Sequence, residues 1–281
     1  MAILTQVVDR IPTYPGRVVL TPVNGQTNTY DMVRADQPTD PGTPLNKALM
    51  DQKANTLTSD VTVYVSTGGN DSTGEGTSAK PYKTINRALA DLPKYLGGYT
   101  ATIDIATGTY AEVVTVSGFS GGTLQLGTGS TSITVSGMVV ENSRKVVSRI
   151  WKFENTSTAS GSVVRVSDGS DLEIANSPTI STTSSSGKVG LKVEKSSRVH
   201  TISSTVTING TGYAGVNAEN GSMVSIYSLK GTGNGTPIQV GYGSIVRCGS
   251  SSIAGSSANY VFSGSELVIG NKSTIIAASV G

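Results

Sequence analysis

Glu194 and Glu219 are the residues whose type and spacing come nearest to a catalytic pair in this chain. Each stands three positions before a serine that recurs through the second half of the sequence, in GSDLEI (Gly169 to Ile174), SSRVHT (Ser196 to Thr201), GSMVSI (Gly221 to Ile226), GSIVRC (Gly243 to Cys248) and GSELVI (Gly264 to Ile269). Subtracting the positions Ser170, Ser197, Ser222, Ser244 and Ser265 gives steps of 27, 25, 22 and 21 residues, the period of a stacked solenoid. Coils of a parallel solenoid lie about 4.8 Å apart, so residues at equal offsets from the serine stack in columns. Glu194 and Glu219 then fall about 5 Å apart on neighbouring coils, the separation of the two carboxyl groups of a retaining glycosidase. The simpler reading is a solvated, charge-balanced ladder, because Lys192 and Lys195 flank Glu194.

The other columns carry less chemistry. Three residues after the serine stand Glu173, His200, Ser225 and Arg247, which puts His200 beside Glu173. A proton shuttle is conceivable there, but a surface ion pair explains it more simply, since no nucleophile with a third, orienting group accompanies it. Asp168 and Asp171 flank the Gly169–Ser170 turn, and turn chemistry accounts for them. No coil gathers the several carboxylates that calcium requires, so neither a metal nor a cofactor is implied. The columns Leu172, Val199, Val224, Val246, Leu267 and Ile174, Thr201, Ile226, Cys248, Ile269 read as inward, making Cys248 a small core hydrophobe. Tyr213, Tyr227, Tyr242 and Tyr260 cluster in the last coils amid Asn and Ser and are the candidates for receptor contact, as flat aromatic faces suit a sugar. Packing between subunits or in turns is the alternative for them.

Composition agrees with such a scaffold. Among 281 residues there are 34 Gly, 3 Phe and 1 Trp, and the abundance of Ser, Thr and Val describes short strands joined by tight turns. Helix should be scarce. A net charge of +2 implies neither nucleic acid nor an anionic membrane as partner. One cysteine and one histidine leave no disulfide framework and no zinc cluster. The apolar run before Asp9 and Arg10 is too short for a signal peptide, and no stretch approaches a membrane span, so the expectation is a chain made in the cytoplasm without membrane insertion.

The elements that position these residues follow in order. Residues 1–57 are dense in proline, with short apolar pieces at RVVL (Arg17 to Leu20) and YDMV (Tyr30 to Val33). They hold too little apolar surface for a core and are expected to be ordered by another chain or a larger assembly. A short neck helix is expected from Thr43 as N-cap and Pro44, with Leu45, Ala48 and Leu49 on one face. Its packing on its own domain and a contact between identical chains both remain open. In residues 58–100 a strand at Val61 to Ser66 precedes a helix opened by Pro81 and closed by Pro93, with Ile85, Ala88, Leu89 and Leu92 on one face, suited to cap a solenoid. From 101 to 281 alternating strands supply the coils, and each coil from Ser162 adds an apolar pair (Val164 and Val166, Leu191 and Val193, Val216 and Ala218, Ile238 and Val240). A third strand falls around Ile180, Ile208, Leu229, Ile253 and Ile275.

Two stretches resemble known families. IPTYPGRVVLTPVNGQTNTYDMVRADQPTDPGTPLNKALMD (Ile11 to Asp51) resembles the amino-terminal attachment segment of tail fibres and tail-associated proteins from phages and prophages of Gram-positive bacteria. VTVYVSTGGNDSTGEGTSAKPYKTINRALADLP (Val61 to Pro93) resembles the start of the right-handed parallel β-helix in the pectin-lyase-like superfamily, which includes polysaccharide lyases, glycoside hydrolases and phage tailspikes. The resemblances imply an all-β protein: a right-handed parallel β-helix with an extended attachment segment, neck helix and capping helix. They further imply a homo-oligomer, by family expectation a trimer, that sits on a virion tail or phage-tail-like particle. There it would meet tail or baseplate proteins through residues 1–57 and a cell-surface polysaccharide beyond. The expected function is a structural and receptor-binding fibre, and the alternative is a polysaccharide depolymerase using Glu194 and Glu219. Acidic residues are sparse in the coils, which leans against catalysis. The last coil begins shortly before Gly281 with no polar cap, so a covering by three chains or a docked protein is expected there.

Overall fold

The structure is a computed structural model. It describes residues 56–129, 132–156, 161–182, 187–257, 259–261, 264–269 and 278–280, and four short strands between residues 11 and 40; for those four strands, for Tyr260 and for 278–280 the description is of the backbone alone. The chain forms two compact units, Met1–Asn55 and Thr56–Gly281.

In the first unit the two apolar pieces seen in the sequence are partners. Val18–Pro22 runs antiparallel to Tyr30–Arg34, and Ile11–Pro12 pairs with Pro38–Asp40. The segment is therefore locally paired where a merely extended chain was expected. The neck helix expected from Thr43 lies outside the described residues.

The second unit is a parallel β-solenoid, in which each strand pairs with the strands one turn before and one turn after it. Its first sheet stacks Val61–Val65, Thr100–Ile105, Thr123–Leu126, Val146–Ser148, Asp171–Ile174, Arg198–His200, the opening residues of Met223–Asn234 and Ile245–Gly255, and Glu266–Ile269. The second stacks the start of Gly108–Ser117 and of Ile133–Glu141, then Lys152–Asn155, Thr179–Thr182, Thr205–Asn209 and the closing residues of the two long strands. The third continues from the ends of Gly108–Ser117 and Ile133–Glu141 through Gly161–Ser167, Lys188–Val193, Ala214–Ala218, Thr236–Val240, Asn259–Val261 and Ala278–Val280. Alternation along each strand turns every second side chain inward, which fills the interior with Val, Ile and Leu.

The columns read from the serine period are present in the register. Leu172, Val199, Val224 and Val246 are fully buried one above another. Cys248 pairs with Ile226 inside the core, and burial pushes its thiol up to about 12, so it is a packing residue and not a nucleophile. Leu267 and Ile269, the last members of the two columns, are half-buried, and two other placements differ. Thr201 is half-buried, its hydroxyl accepting the Tyr227 N–H at 2.7 Å across the corner. In the second sheet Leu229 pairs with Val206, and Gly231 takes the position between Ile208 and Ile253. A side chain at Gly231 would run into the Ile208 carbonyl, so the long strand shifts register by this glycine and the hydrophobic pattern alone misaligns it. Ile275 lies outside the described residues.

The marker serine has a physical reason. It sits at the corner where the third sheet gives way to the first, after two residues of left-handed conformation: Asp168 and Gly169, Lys195 and Ser196, Asn220 and Gly221, Tyr242 and Gly243. That turn carries the serine inside the corner, where Ser143, Ser170, Ser197, Ser222 and Ser244 are all buried. Each hydroxyl accepts the N–H of the residue one coil earlier: Phe119 to Ser143 at 3.1 Å, Ser143 to Ser170 at 3.1 Å, Ser170 to Ser197 at 3.2 Å, Ser197 to Ser222 at 3.3 Å and Ser222 to Ser244 at 3.0 Å. At the last rung the donor slips by one, from Gly243 to Ser265. Ser143, in NSRKVV, begins the ladder one coil before the repeat is evident in the sequence.

The helix, α1 (Ile85–Asp91), buries Ile85, Ala88 and Leu89 over the end of the core. It starts at Thr84, not at Pro81, because Pro81 and Tyr82 continue extended: the Pro81 carbonyl accepts from Asn70 and Tyr82 bridges Val65. Thr84 accepts the Arg87 N–H, while Glu112 on the next coil accepts from Ile85 at 2.8 Å and Asn86 at 3.0 Å, satisfying the open helix start. The GGND stretch serves the same cap. Asn70 closes a turn onto Ser72 and Thr73, Asp71 accepts from Lys83 and Thr84, and a side chain at Gly69 would collide with the Tyr82 carbonyl.

Two substitutions test the corner. Ser170→Ala strands the buried Ser143 N–H and is expected to lower stability by about 1–3 kcal/mol in denaturant unfolding. Ser196→Gly places glycine where neighbouring coils already carry it, at a left-handed position (φ 58), and is expected to raise stability by about 1 kcal/mol in the same measurement.

Candidate functional site

The outward column of the third sheet runs Arg165, Lys192, Asn217 and Gln239, in register from coil to coil. Beside it, where the strands end, Glu194 and Glu219 occupy adjacent coils: the Glu194 N–H bonds the Val166 carbonyl and the Glu219 N–H the Val193 carbonyl. The two columns interlock. Glu194 Oε1 lies 2.7 Å from both Nε and Nη2 of Arg165, and its Oε2 is 2.9 Å from Lys192 Nζ. Lys192 Nζ reaches Glu219 Oε2 at 3.8 Å, and Glu219 Oε1 accepts from Asn217, whose Nδ2 also donates to Gln239.

The stacking thus brings the two sequence-predicted carboxylates together, but around a shared lysine. Burial alone would raise the Glu194 carboxyl; the hydrogen bonds and charges of Lys192 and Arg165 outweigh it and hold the group below its ordinary value. A general acid for glycoside cleavage needs the opposite shift. Arg165 is the member of the cluster that inspection of the carboxylates missed, although the serine-based coordinates place it five positions before Ser170, as they place Lys192 five before Ser197.

The four tyrosines do not converge. Tyr227, 59 % exposed, stands at the corner between the first and second sheets, in a groove of about 380 Å³ with Ile202 and Arg247. Tyr242, 62 % exposed, occupies a left-handed position at the corner between the third and first sheets. Tyr213, 51 % exposed, lies at the remaining corner, between the second and third. Tyr260 pairs through its backbone with Gln239 on the third sheet, and its side chain is outside the described residues. Concentration in sequence therefore becomes dispersal around the solenoid, because the corners recur within every coil.

Tyr213 and Glu194 do share a groove. Together with Ser162, Arg165 and Lys192 they line an open groove of about 460 Å³, bounded on one side by Gly161 and Gly187. Tyr213 is held from both sides of its backbone, its N–H on the Lys188 carbonyl at 3.0 Å and its carbonyl on the Thr236 N–H at 2.8 Å. The groove thus combines an exposed aromatic ring on a hydrogen-bonded corner with charged and hydroxyl groups on a sheet.

On the first sheet His200 stands beside Glu173 in register, Nε2 3.6 Å from Oε2, and its Nδ1 is 3.4 Å from Asp171 Oδ1. Both ring nitrogens face carboxylates and neither is turned to a hydroxyl nucleophile. Asp168 fits the turn chemistry expected of it, with its carboxylate held by Ser167 and Lys195. Asp171 instead opens the strand and faces His200, since the serine, not the aspartate, completes the corner. Among the described residues no group of three or more His, Cys, Asp or Glu is arranged to hold a metal ion. No protein family, curated protein or solved structure matches this chain.

Glu194→Gln tests the cluster. Because the carboxyl is held below its ordinary value of 4.5, its contribution is complete above that pH and fades as the pH falls through the lowered folded value. The stability gap between wild type and Glu194→Gln in pH-resolved denaturant unfolding is expected to be constant near neutrality and to shrink below about 4.5.

Proposed function

We propose that this chain is a structural and receptor-binding protein of a phage tail or phage-tail-like particle, contacting a cell-surface glycan with the flank of its solenoid. The observation that carries the reading is the groove at Tyr213, where a half-exposed ring on a backbone-bonded corner lines one groove with Arg165, Lys192 and Glu194. The resemblance of Ile11 to Asp51 to tail attachment segments supplies the location, and a homotrimer attached through residues 1–57 follows from the same resemblance. A long parallel stack suits the role, since every coil bonds both neighbours and the surface side chains keep their positions.

The rival is a depolymerase on the same scaffold. It would need Glu194 or Glu219 as proton donor, and the Lys192 shared between them favours the ionised form of Glu194. Antibody raised against the full chain is expected to label the tails of purified particles, and host polysaccharide incubated with the protein is expected to yield no new reducing or unsaturated ends. Absence from particles overturns the tail assignment; cleavage that disappears in Glu219→Gln replaces the binding role with the enzymatic one.

A further inference from the structure

The charge pattern around Tyr213 says more than that a ligand fits. Arg165 and Lys192 are the cations of the groove, and both are already engaged by Glu194, which is buried and has both oxygens occupied. Glu219 adds a second carboxylate on the far side of Lys192. Within this ion-pair cluster two positive and two negative groups cancel, so the cluster adds little net field to the groove. An anionic ligand would compete with a buried carboxylate for cations that cannot leave it without stranding a charge. The donors remain useful in another way. A guanidinium has five N–H groups and an ammonium three, and Glu194 and Glu219 take only part of these. Ser162 adds a hydroxyl that both donates and accepts.

The rest of the groove suits a flat, uncharged molecule. Tyr213 stands on a corner whose backbone is bonded to the coil on each side, so the chain there is already ordered when a ligand stacks on its ring. Gly161 and Gly187 belong to the groove lining, and a methyl group added at either would meet no atom of the described residues within 4 Å. Both have positive φ, 136 and 60, which only glycine adopts without strain.

We infer that the groove takes an uncharged, hydroxyl-rich sugar, stacked on Tyr213 and hydrogen-bonded by Arg165, Lys192 and Ser162, and discriminates against uronic acids, sialic acids and phosphorylated glycans. This rests on the glycan-binding reading above and narrows it to one class of ligand at one corner of the solenoid. Glu194 is the positioning residue: it neutralises the two cations and holds their remaining N–H groups in place.

The test is a printed array carrying neutral hexose and N-acetylhexosamine oligosaccharides beside uronic-acid, sialylated and phosphorylated ones, probed with the full chain at low and high salt. Binding is expected on neutral glycans only and to change little with salt, since no net charge is neutralised. Tyr213→Ala is expected to weaken it about tenfold, the loss of one stacking contact, with Tyr95→Ala, an exposed tyrosine of the first coils, unchanged. Glu194→Gln frees cationic charge and is expected to bring in acidic glycans that the wild type ignores. Acidic-only or strongly salt-dependent binding, or neutral binding indifferent to Tyr213→Ala, overturns this inference while leaving a glycan-binding protein. Binding to nothing on the array overturns the glycan reading itself.

Discussion

A parallel solenoid satisfies its backbone along the flat sheets, where each N–H and carbonyl meets the coil above or below, and is short of partners at the corners. In this chain the corner between the third and first sheets is closed by a buried serine whose hydroxyl takes the N–H from the preceding coil, repeated from Phe119 and Ser143 to Ser222 and Ser244. Serine is suited to it by size and by chemistry. Ser170 also donates to the Ser167 carbonyl at 2.6 Å, so one small side chain satisfies two backbone groups without filling the core. The two left-handed residues before it explain why glycine precedes serine in most copies and suit Asp168 and Asn220 at the other position, where nothing in the structure explains Lys195 and Tyr242.

Because the ladder fixes the register, it also decides what the surface can do. Arg165, Lys192, Asn217 and Gln239 become one column and Glu194 and Glu219 its neighbour. The carboxylates are drawn into ion pairs, and the exposed part of the cluster is left as hydrogen-bonding surface. The same logic places Cys248 in the core against Ile226 and seats His200 between Asp171 and Glu173. Chemistry that looks promising as isolated residues is mostly absorbed by the requirement that like columns stack without repulsion.

The cap answers a different need. The first coil would expose an apolar end, and α1 covers it while its own unpaired N–H groups are taken by Glu112 from the second coil. The GGND stretch is part of this cap: Asn70 closes the turn and Asp71 braces Thr84.

The sequence by itself determined the period, the inward columns and hence the parallel solenoid, because stacking demands that apolar residues recur at fixed offsets and a single frame of serines exposes them. It also located the cap, since an amphipathic helix next to a strand carries its own signal. Tertiary structure decided the rest. The start of the helix moved to Thr84 because Asp71 and Glu112, remote in sequence, provide its acceptors. Leu229 left its expected column because only close approach to the Ile208 carbonyl shows that Gly231 must take it. The tyrosines parted because each falls at a different corner of its coil, a separation around the axis that linear spacing does not show. Arg165 joined Glu194 for the complementary reason: 29 residues apart, they touch because one coil brings the chain back over itself.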